Sequence, residues 1–299
     1  MSTFKVGVNC GTFLTQFGNE QAIENLKSCG VECLDFPLSE AFLGQTEEGI
    51  KAYCESVKEA CNKAKITVQQ THAPYYLFID PELFLTETYL DRYIKSIKAT
   101  AWLGSKYVVI HPIMVREGKD AFYTTEDSFA LSISYNQTFF EKLKPYALAY
   151  GVEIAIENMC GTNALRYRGL PSATSSAEKL KCLLERLGEG FCVCLDTGHA
   201  FYSAEDPAHF VRKLGKSLKV LHLHDNDGRL DLHIPPTFGY INWDNFCKAL
   251  AEMQFGGAIT LEVNFPKEPE LLMPFTRLQC AIARNLVEKI QQAGGKENV

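Results

Sequence analysis

The chain has 299 residues, of which 46% are hydrophobic and 22% are charged, and its formal net charge is −6. A chain of this length can bury a sizeable core, and its eleven cysteines are odd in number, which excludes a small fold held together by disulfides alone. The acidic balance argues against a nucleic-acid partner, because such proteins usually present a strongly basic face.

The N-terminal segment "MSTFKVGVNC" has no basic stretch followed by an apolar one, so it does not resemble a secretion signal. No apolar run approaches the roughly 18 residues that a membrane span requires. We therefore expect a cytoplasmic protein with reduced thiols and no membrane partner.

Eight short runs rich in Val, Ile and Leu are typical of parallel strands that are covered by helices. They lie at residues 4–9, 31–38, 66–73, 106–112, 152–158, 191–198, 219–225 and 258–264. Cys192 and Cys194 alternate within the sixth run, which favours buried cysteines on a strand over metal ligands.

Amphipathic helical segments alternate with these strands, at residues 48–65, 87–104, 175–188, 243–253 and 274–294. The third of them opens with a Ser-x-x-Glu capping box, Ser175 to Glu178, and ends at Gly188. Eight strand–helix units predict an α/β fold, a (β/α)8 TIM barrel that forms a single domain over residues 1–299, with a frayed tail after about residue 294. A doubly wound sheet is the alternative, but neither its Gly-rich first turn nor a P-loop is present.

In a TIM barrel the chemistry lies where the strands end, at the C-terminal mouth. The predicted strand ends deliver polar side chains from strands 3 to 8: His72, His111, Glu157, Asp196 with His199, His222 with His224, and Glu262. Each residue alone has an ordinary structural explanation, such as a helix cap for Asp196. Together, however, three buried carboxylates beside a histidine would repel one another unless a divalent cation lay between them. The set therefore predicts a metal site.

At these residues the chain resembles the sugar phosphate isomerase/epimerase superfamily of xylose isomerase-like TIM barrels, which also contains the endonuclease IV group (AP endonuclease family 2). The matching motifs are "THAPY", "VVIHP", "IEN", "CLDTGHA", "HLHDNDG…DLH", "PP…G.I.W" and "LEV", in the family's order between about residues 66 and 264.

The resemblance implies one divalent metal ion held by a glutamate, an aspartate, a histidine and a second glutamate, which are here Glu157, Asp196, His222 and Glu262. His224 is the alternative histidine, since each of the two is followed by an aspartate three residues later. Glu157 and Glu262 would act as acid and base on an enediolate. Oxygen-rich ligands favour Mn²⁺, with Zn²⁺, Co²⁺ or Mg²⁺ as alternatives.

The implied activity is that of a ketose epimerase or an aldose–ketose isomerase acting on a small sugar or sugar phosphate. His199, Tyr75 and Arg229 are candidate substrate contacts, and Arg166 and Arg168 are candidates for binding a substrate phosphate. The family's usual arginine, six residues after the ligand histidine, is replaced by Gly228 or Leu230, depending on which histidine binds the metal. A homo-oligomer is compatible with the sequence.

Two other enzymes are alternatives. An endonuclease IV-like phosphodiester hydrolase with several zinc ions would use nine ligands, and the chain has a suitable residue for each, with Asp231 and His233 completing the set. A metal-dependent sugar or polyol dehydratase would use the same first step. A sugar-binding protein without catalysis is a third reading, which the intact acidic set disfavours because buried carboxylates without a role cost stability.

Overall fold

The structure is a computed structural model that describes residues 4–76, 81–114, 126–160 and 173–295. Its strands are β1 (Val6–Asn9), β2 (Cys33–Pro37), β3 (Thr67–His72), β4 (Tyr107–Ile110), β5 (Glu153–Glu157), β6 (Phe191–Asp196), β7 (Leu218–His222) and β8 (Ile259–Leu261). Its helices are α1 (Gly11–Phe17), α2 (Asn19–Ser28), α3 (Glu40–Leu43), α4 (Glu47–Ala64), α5 (Pro81–Phe84), α6 (Glu87–Trp102), α7 (Glu126–Tyr150), α8 (Ala177–Leu187), α9 (Thr197–Tyr202), α10 (Pro207–Leu214), α11 (Trp243–Glu252) and α12 (Pro269–Gly295), with a 3-10 turn at Gly215–Ser217.

The eight strands are parallel and lie in the order β7-β6-β5-β4-β3-β2-β1-β8. The remaining gap lies between β7 and β8, where Leu223 forms a parallel bridge with Leu261. The Leu223 N–H donates to the Thr260 carbonyl at 2.9 Å, and the Glu262 N–H donates to the Leu223 carbonyl at 3.2 Å. The sheet is thus a nearly closed barrel, and the predicted TIM-barrel fold is confirmed.

The main core lies between the barrel and its helices, because each helix turns one apolar stripe toward the sheet. In α4, for example, Ile50, Val57 and Cys61 are buried. Inside the strand layer, Cys192 and Cys194 pack with Val109, Ala155 and Val220 in a separate cluster, so the two cysteines lie buried on β6 as predicted. In the described part of the chain, no helix combines the length and the apolar character that crossing a bilayer requires.

The start of α8 differs from the predicted capping box. Ser176, and not Ser175, is the N-cap, and its side chain accepts a hydrogen bond from the Lys179 N–H at 3.3 Å. Ser175 instead accepts a hydrogen bond from the Lys179 ammonium, so the helix begins one residue later than the motif suggests. The helix ends at Gly188, as predicted.

The strands are shorter than their apolar runs, and this difference positions the chemistry. β3, β5, β6 and β7 each end on a polar residue: His72, Glu157, Asp196 and His222. His111 follows the last residue of β4, and Glu262 follows the last residue of β8. Parallel strands point the same way, so all six residues reach one mouth of the barrel.

Candidate metal centre

Five of these side chains meet in what we call the inner cluster: His72, His111, Glu157, His222 and Glu262. Glu157 lies at its centre, with Oε2 at 3.3 Å from His72 Nε2, 3.2 Å from His111 Nε2 and 3.4 Å from His222 Nδ1. Glu262 Oε2 lies 3.2 Å from the same His222 nitrogen. The two glutamates therefore face one imidazole from two different strands.

The inner cluster contains buried polar atoms without hydrogen bonds. Among the described residues, Glu157 Oε2 and both ring nitrogens of His222 have no partner in hydrogen-bonding geometry. A buried polar atom without a partner costs about 1–3 kcal/mol, and several at one point indicate a missing group between them. These ligand types and distances fit a divalent cation.

In the protein without a bound cation, the residues of the inner cluster shift one another's pKa values. Burial alone would raise the pKa of Glu157, but the His111 and His222 rings beside it lower that pKa well below its usual range. Burial alone would lower the pKa of His222, but Cys194, Glu262 and Glu157 raise that pKa well above its usual value. The carboxylates and the His222 ring therefore stabilise each other's charged forms, and a cation bound between them would compete for the same carboxylate oxygens.

Asp196 and His224 form a second unit, which we call the linking pair. His224 Nε2 lies 2.9 Å from Asp196 Oδ2, and both side chains are fully buried. Asp196 Oδ1 accepts a hydrogen bond from the His199 N–H at 2.6 Å, so this aspartate also caps α9. Asp196 is the register partner of His222 across β6 and β7, which places the linking pair directly beside the inner cluster.

The linking pair requires glycine at position 198. A Cβ atom there would lie 1.9 Å from His224 Cε1, far inside a normal contact. The glycine of the "DTGH" motif thus makes room for the His224 ring, which stacks on His233 with ring centroids 3.8 Å apart.

His199, Asp231 and His233 form the rim cluster, nearer the surface. Asp231 Oδ2 lies 3.3 Å from His199 Nε2 and 3.2 Å from His233 Nε2. His199 Nδ1 donates to the Asn158 carbonyl at 2.9 Å, and His233 Nδ1 donates to the Glu262 carbonyl at 3.0 Å. Because a carbonyl can only accept, Nδ1 carries the proton, and each Nε2 faces the carboxylate with either a second proton or a cation between them.

The rim cluster shows the same mutual stabilisation as the inner cluster. Burial alone would lower the pKa of His233, but its hydrogen bond to Asp231 raises that pKa to about 9. Burial alone would raise the pKa of Asp231, but His199 and His233 lower it below its usual range. The chain has seven histidines, and six of them lie in these three units; the seventh, His209, is exposed.

The site opens into a cavity of about 390 Å³ at the barrel mouth. Tyr75, Met114, Met159 and Pro37 provide its less polar wall, and Tyr75 stacks on His111 with centroids 4.9 Å apart. Within the described ranges, with their gaps at 77–80, 115–125 and 161–172, no lysine or arginine lines this cavity.

None of the candidate arginines is among the described residues that line the cavity. Arg229 is exposed and is not among the residues that line the cavity, so its contact with a substrate stays a prediction. Arg166 and Arg168 lie outside the described residues.

Two further residues near the site were not predicted from the sequence. Asp35 is fully buried at β2, accepts a hydrogen bond from the Asn9 side chain at 2.8 Å, and lies 3.8 Å from His222 Nε2. Cys160 lies beside the rim cluster, where its Sγ, a nitrogen of His199 and an oxygen of Asp231 are within 4.8 Å of one another. A charged residue in the middle of the otherwise apolar strand "CLDFP" was a signal that could have identified Asp35.

The loop that carries Asp231 and His233 depends on another buried carboxylate. Asp225 accepts four hydrogen bonds, from the main-chain N–H groups of Asn226, Thr237 and Ile241 at 2.9, 3.0 and 3.1 Å and from Trp243 Nε1 at 2.7 Å. These bonds join both ends of the loop to one side chain.

Comparisons with known proteins place these features in a family. Residues 23–275 match the family described as Xylose isomerase-like TIM barrel. An uncharacterised protein of Mycobacterium leprae is 26% identical over 233 residues, which is 73% of this chain and 76% of that protein. A probable endonuclease 4 of Mycoplasmopsis agalactiae is 22% identical over 249 residues, 79% of this chain and 81% of that protein.

Solved structures share the fold at low sequence identity. A D-tagatose 3-epimerase-like protein superposes with a TM-score of 0.72 at 20% identity, over 99% of this chain and 100% of that one. The 3-keto-D-glucoside 4-epimerase from E. coli gives 0.73 at 15% identity, over 95% and 100%. The IolI protein, whose structure holds a zinc atom, gives 0.70 at 16% identity, over 97% and 99%.

Proposed function

Because the chain belongs to the xylose isomerase-like TIM-barrel family, we propose that it is a divalent-metal-dependent isomerase or epimerase that acts on a small sugar. The observation that carries this proposal is the placement of Glu157 and Glu262, which approach His222 Nδ1 at 3.4 and 3.2 Å and line the cavity at the barrel mouth. Two carboxylates beside one cation site can remove and return a proton next to a carbonyl.

Glu157, Asp196, His222 and Glu262 are the proposed ligands of a single catalytic metal. The unpartnered Glu157 oxygen and His222 nitrogens support this set. His222 is favoured over His224 because its ring faces both glutamates, whereas His224 faces Asp196. His224 then holds Asp196 in place, which is the role of a residue hydrogen-bonded to a metal ligand.

Manganese is the proposed metal, with zinc, cobalt or magnesium as alternatives. Three carboxylates and one imidazole form a hard, oxygen-rich set that suits Mn²⁺. The zinc atom in the structure of the IolI protein, which shares the fold, keeps zinc among the candidates. His72 and His111, with their Nε2 atoms at Glu157, would support the ligand glutamate or contact the substrate.

A divalent cation bound there would polarise the substrate carbonyl and stabilise the negative charge of the enediolate. One glutamate removes the proton from the carbon beside the carbonyl, and the other returns a proton. Return to the opposite face of the same carbon gives an epimer, and return to the neighbouring carbon gives an aldose–ketose pair. The Glu262 side chain is 23% exposed and that of Glu157 is 1% exposed, so a proton on Glu262 exchanges more readily with solvent.

The cavity favours a small, uncharged sugar. Its volume of about 390 Å³ accommodates a monosaccharide but not a duplex. Tyr75 offers an exposed ring that could stack on a sugar, and His199 would hydrogen-bond a hydroxyl. The described lining contains no lysine or arginine for a phosphate, and none for a nucleic-acid backbone.

The rim cluster favours one alternative, a zinc-dependent phosphodiester hydrolase, because His199, Asp231 and His233 resemble an additional metal site beside the inner one. The absence of lysine and arginine from the described lining of the cavity opposes this function. A dehydratase would share the proton abstraction and then expel a hydroxyl group.

The test is a substrate panel on one preparation. The protein is stripped with a chelator, reloaded separately with Mn²⁺, Co²⁺, Mg²⁺ and Zn²⁺, and incubated with ketoses, aldoses, a phosphodiester and duplex DNA. We expect a new sugar isomer that appears only with metal. Metal-dependent phosphodiester cleavage without sugar conversion would establish the hydrolase instead, and loss of water from a sugar would establish the dehydratase.

A further inference from the structure

We propose that Asp35 is a positioning residue of the metal site: its carboxylate accepts a hydrogen bond from Nε2–H of His222 when the other ring nitrogen of that histidine, Nδ1, binds the metal. In this role Asp35 contacts neither the metal nor the sugar, and it acts through His222 alone. The inference deepens the proposed function and rests on it, because it takes His222 as a metal ligand.

Asp35 lies in the barrel interior, where a carboxylate is costly. It stands in the middle of β2 between Leu34 and Phe36, which both pack into the main core between the barrel and its helices. Successive side chains of a strand point to opposite faces, so Asp35 points the other way, into the barrel. The residue is fully buried. Because Val, Ile and Leu dominate such positions and a buried carboxylate needs partners, its presence requires a reason.

The hydrogen bonds of Asp35 are incomplete in the metal-free protein. Its Oδ2 accepts one hydrogen bond, from Asn9 Nδ2 at 2.8 Å, and its Oδ1 has no hydrogen-bond partner among the described residues. Asn9 is itself held, since its Oδ1 accepts from the Gly11 N–H at 3.0 Å. A carboxylate can accept about four hydrogen bonds. Asp35 is therefore anchored on one side and free to accept another donor.

His222 offers that donor. Its Nδ1 faces the two glutamates, with Glu157 Oε2 at 3.4 Å and Glu262 Oε2 at 3.2 Å. Its Nε2 faces Asp35 Oδ2 at 3.8 Å, and neither ring nitrogen has a hydrogen bond in the structure. A neutral imidazole carries one proton, so a metal on Nδ1 fixes that proton on Nε2. The buried Nε2–H then needs an acceptor, and the Asp35 carboxylate is the charged group on that side of the ring.

A small movement completes the arrangement. A shift of about 1 Å would shorten the distance between Nε2 and Oδ2 to that of a charge-assisted hydrogen bond. Such a bond fixes the tautomer and orientation of a metal-bound histidine and makes it a stronger ligand. Cys194 is the competing acceptor, because its Sγ, a nitrogen of His222 and an oxygen of Glu157 lie within 4.8 Å of one another. A thiol accepts only weakly, which favours Asp35.

Calorimetric titration of the metal-free protein with Mn²⁺ and with Zn²⁺ tests this role. Asp35→Asn keeps the size of the side chain and removes its charge. We expect metal affinity to fall by about tenfold or more, while the urea midpoint of the metal-free protein does not fall, because a buried charge has been removed. Cys194→Ala, at the competing acceptor, is the matched control and should bind metal as the wild type does. A merely structural role for Asp35 would give the reverse, a lower urea midpoint with unchanged metal affinity.

Asn9→Ala tests the chain of contacts behind Asp35. Because Asn9 holds the carboxylate, this variant should weaken metal binding in the wild type and should weaken it less in the Asp35→Asn background. Equal losses in the two backgrounds would show that Asn9 and Asp35 act independently of each other, which contradicts the proposal.

Nuclear magnetic resonance of the wild type gives a readout that needs no variant. In zinc-loaded protein labelled with ¹⁵N in its histidine rings, we expect zinc on Nδ1 of His222 and a slowly exchanging proton on Nε2. Zinc on Nε2, or an Nε2 proton that exchanges as freely as that of an exposed histidine, would overturn the proposal. So would an unchanged metal affinity in Asp35→Asn.

The two proposals fail in different ways. A wild type that binds neither metal overturns both of them. A wild type that binds metal tightly, together with variants that bind it equally well, overturns the role of Asp35 and leaves the metal site intact. Absence of sugar conversion contradicts the proposed function and changes none of these binding measurements.

Discussion

Replacing Gly198 with alanine tests how the linking pair supports the metal site. The added Cβ would lie 1.9 Å from His224 Cε1, 2.4 Å from Nδ1 and 2.7 Å from Nε2. Non-bonded carbon atoms normally approach to about 3.5–4.0 Å, so the ring must move by roughly 1.5–2 Å. The hydrogen bond from His224 Nε2 to Asp196 Oδ2, now 2.9 Å long, would be broken by such a shift.

The expected cost has two parts. Overpacking costs about 1–3 kcal/mol, and a lost hydrogen bond to a buried carboxylate costs about 1.5–3 kcal/mol. Helix propensity acts in the opposite direction, because alanine is favoured over glycine by about 1 kcal/mol within a helix such as α9. We therefore expect net destabilisation of about 2–5 kcal/mol and metal affinity weakened at least tenfold.

The assay is urea unfolding of the metal-free protein together with calorimetric titration of metal. Gly256→Ala is the matched control, since a Cβ there meets nothing within 4 Å. The double variant Gly198→Ala, His224→Ala removes the clashing ring and should recover the overpacking part of the stability loss without recovering metal affinity. An unchanged metal affinity in Gly198→Ala would refute the supporting role of the linking pair.

Three further predictions concern the pH response, the loop and the cavity. In the metal-free protein the pKa of His233 is raised to about 9 from 6.5, so the stability that its proton contributes is fully present below pH 6.5 and is lost as the pH rises to about 9. The melting temperature measured by thermal unfolding should therefore fall over this window, and it should fall less steeply in His233→Gln. Metal affinity should rise over the same window, because protons that compete with the metal leave. Asp225→Asn should lower the free energy of unfolding by about 1–3 kcal/mol, because an amide NH₂ group would face some of the four donors. Asp227→Asn should change the urea midpoint little, because the amide oxygen can still accept from the Arg229 and Leu230 N–H groups. Tyr75→Ala should raise KM several-fold with kcat preserved once a converted sugar is identified, and a fall in kcat alone would contradict a stacking role.

The barrel and the polar strand ends could be predicted because both depend on local pattern. Apolar runs of strand length separated by amphipathic helices specify the fold, and a His, Glu or Asp that ends such a run must reach the barrel mouth. The positions of Glu157 and Glu262 therefore followed from their strands alone.

The arrangement within the mouth could not be predicted, because it depends on side-chain packing between distant segments. The sequence spacing does not distinguish His222 from His224. In the structure His222 faces the two glutamates and His224 faces Asp196, because the glycine at position 198 has no side chain and leaves space for the His224 ring. Cys160 was missed for the same reason, since a single cysteine in a loop carries no pattern, whereas the aspartate within the apolar second strand could have pointed to Asp35. Arg229 was a candidate by position, and it is exposed and is not among the residues that line the cavity.

Solvent deuterium exchange is the measurement that tests the central claim most directly. Metal-loaded protein is incubated in D₂O with each sugar of the panel, and NMR records deuterium at the carbon next to the carbonyl. We predict uptake in at least one ketose by the wild type and by Glu268→Gln, an exposed control, with none by Glu262→Gln. Metal-loaded protein that exchanges no such proton in any sugar, or Glu262→Gln that exchanges as fast as the wild type, would contradict proton transfer by the two glutamates.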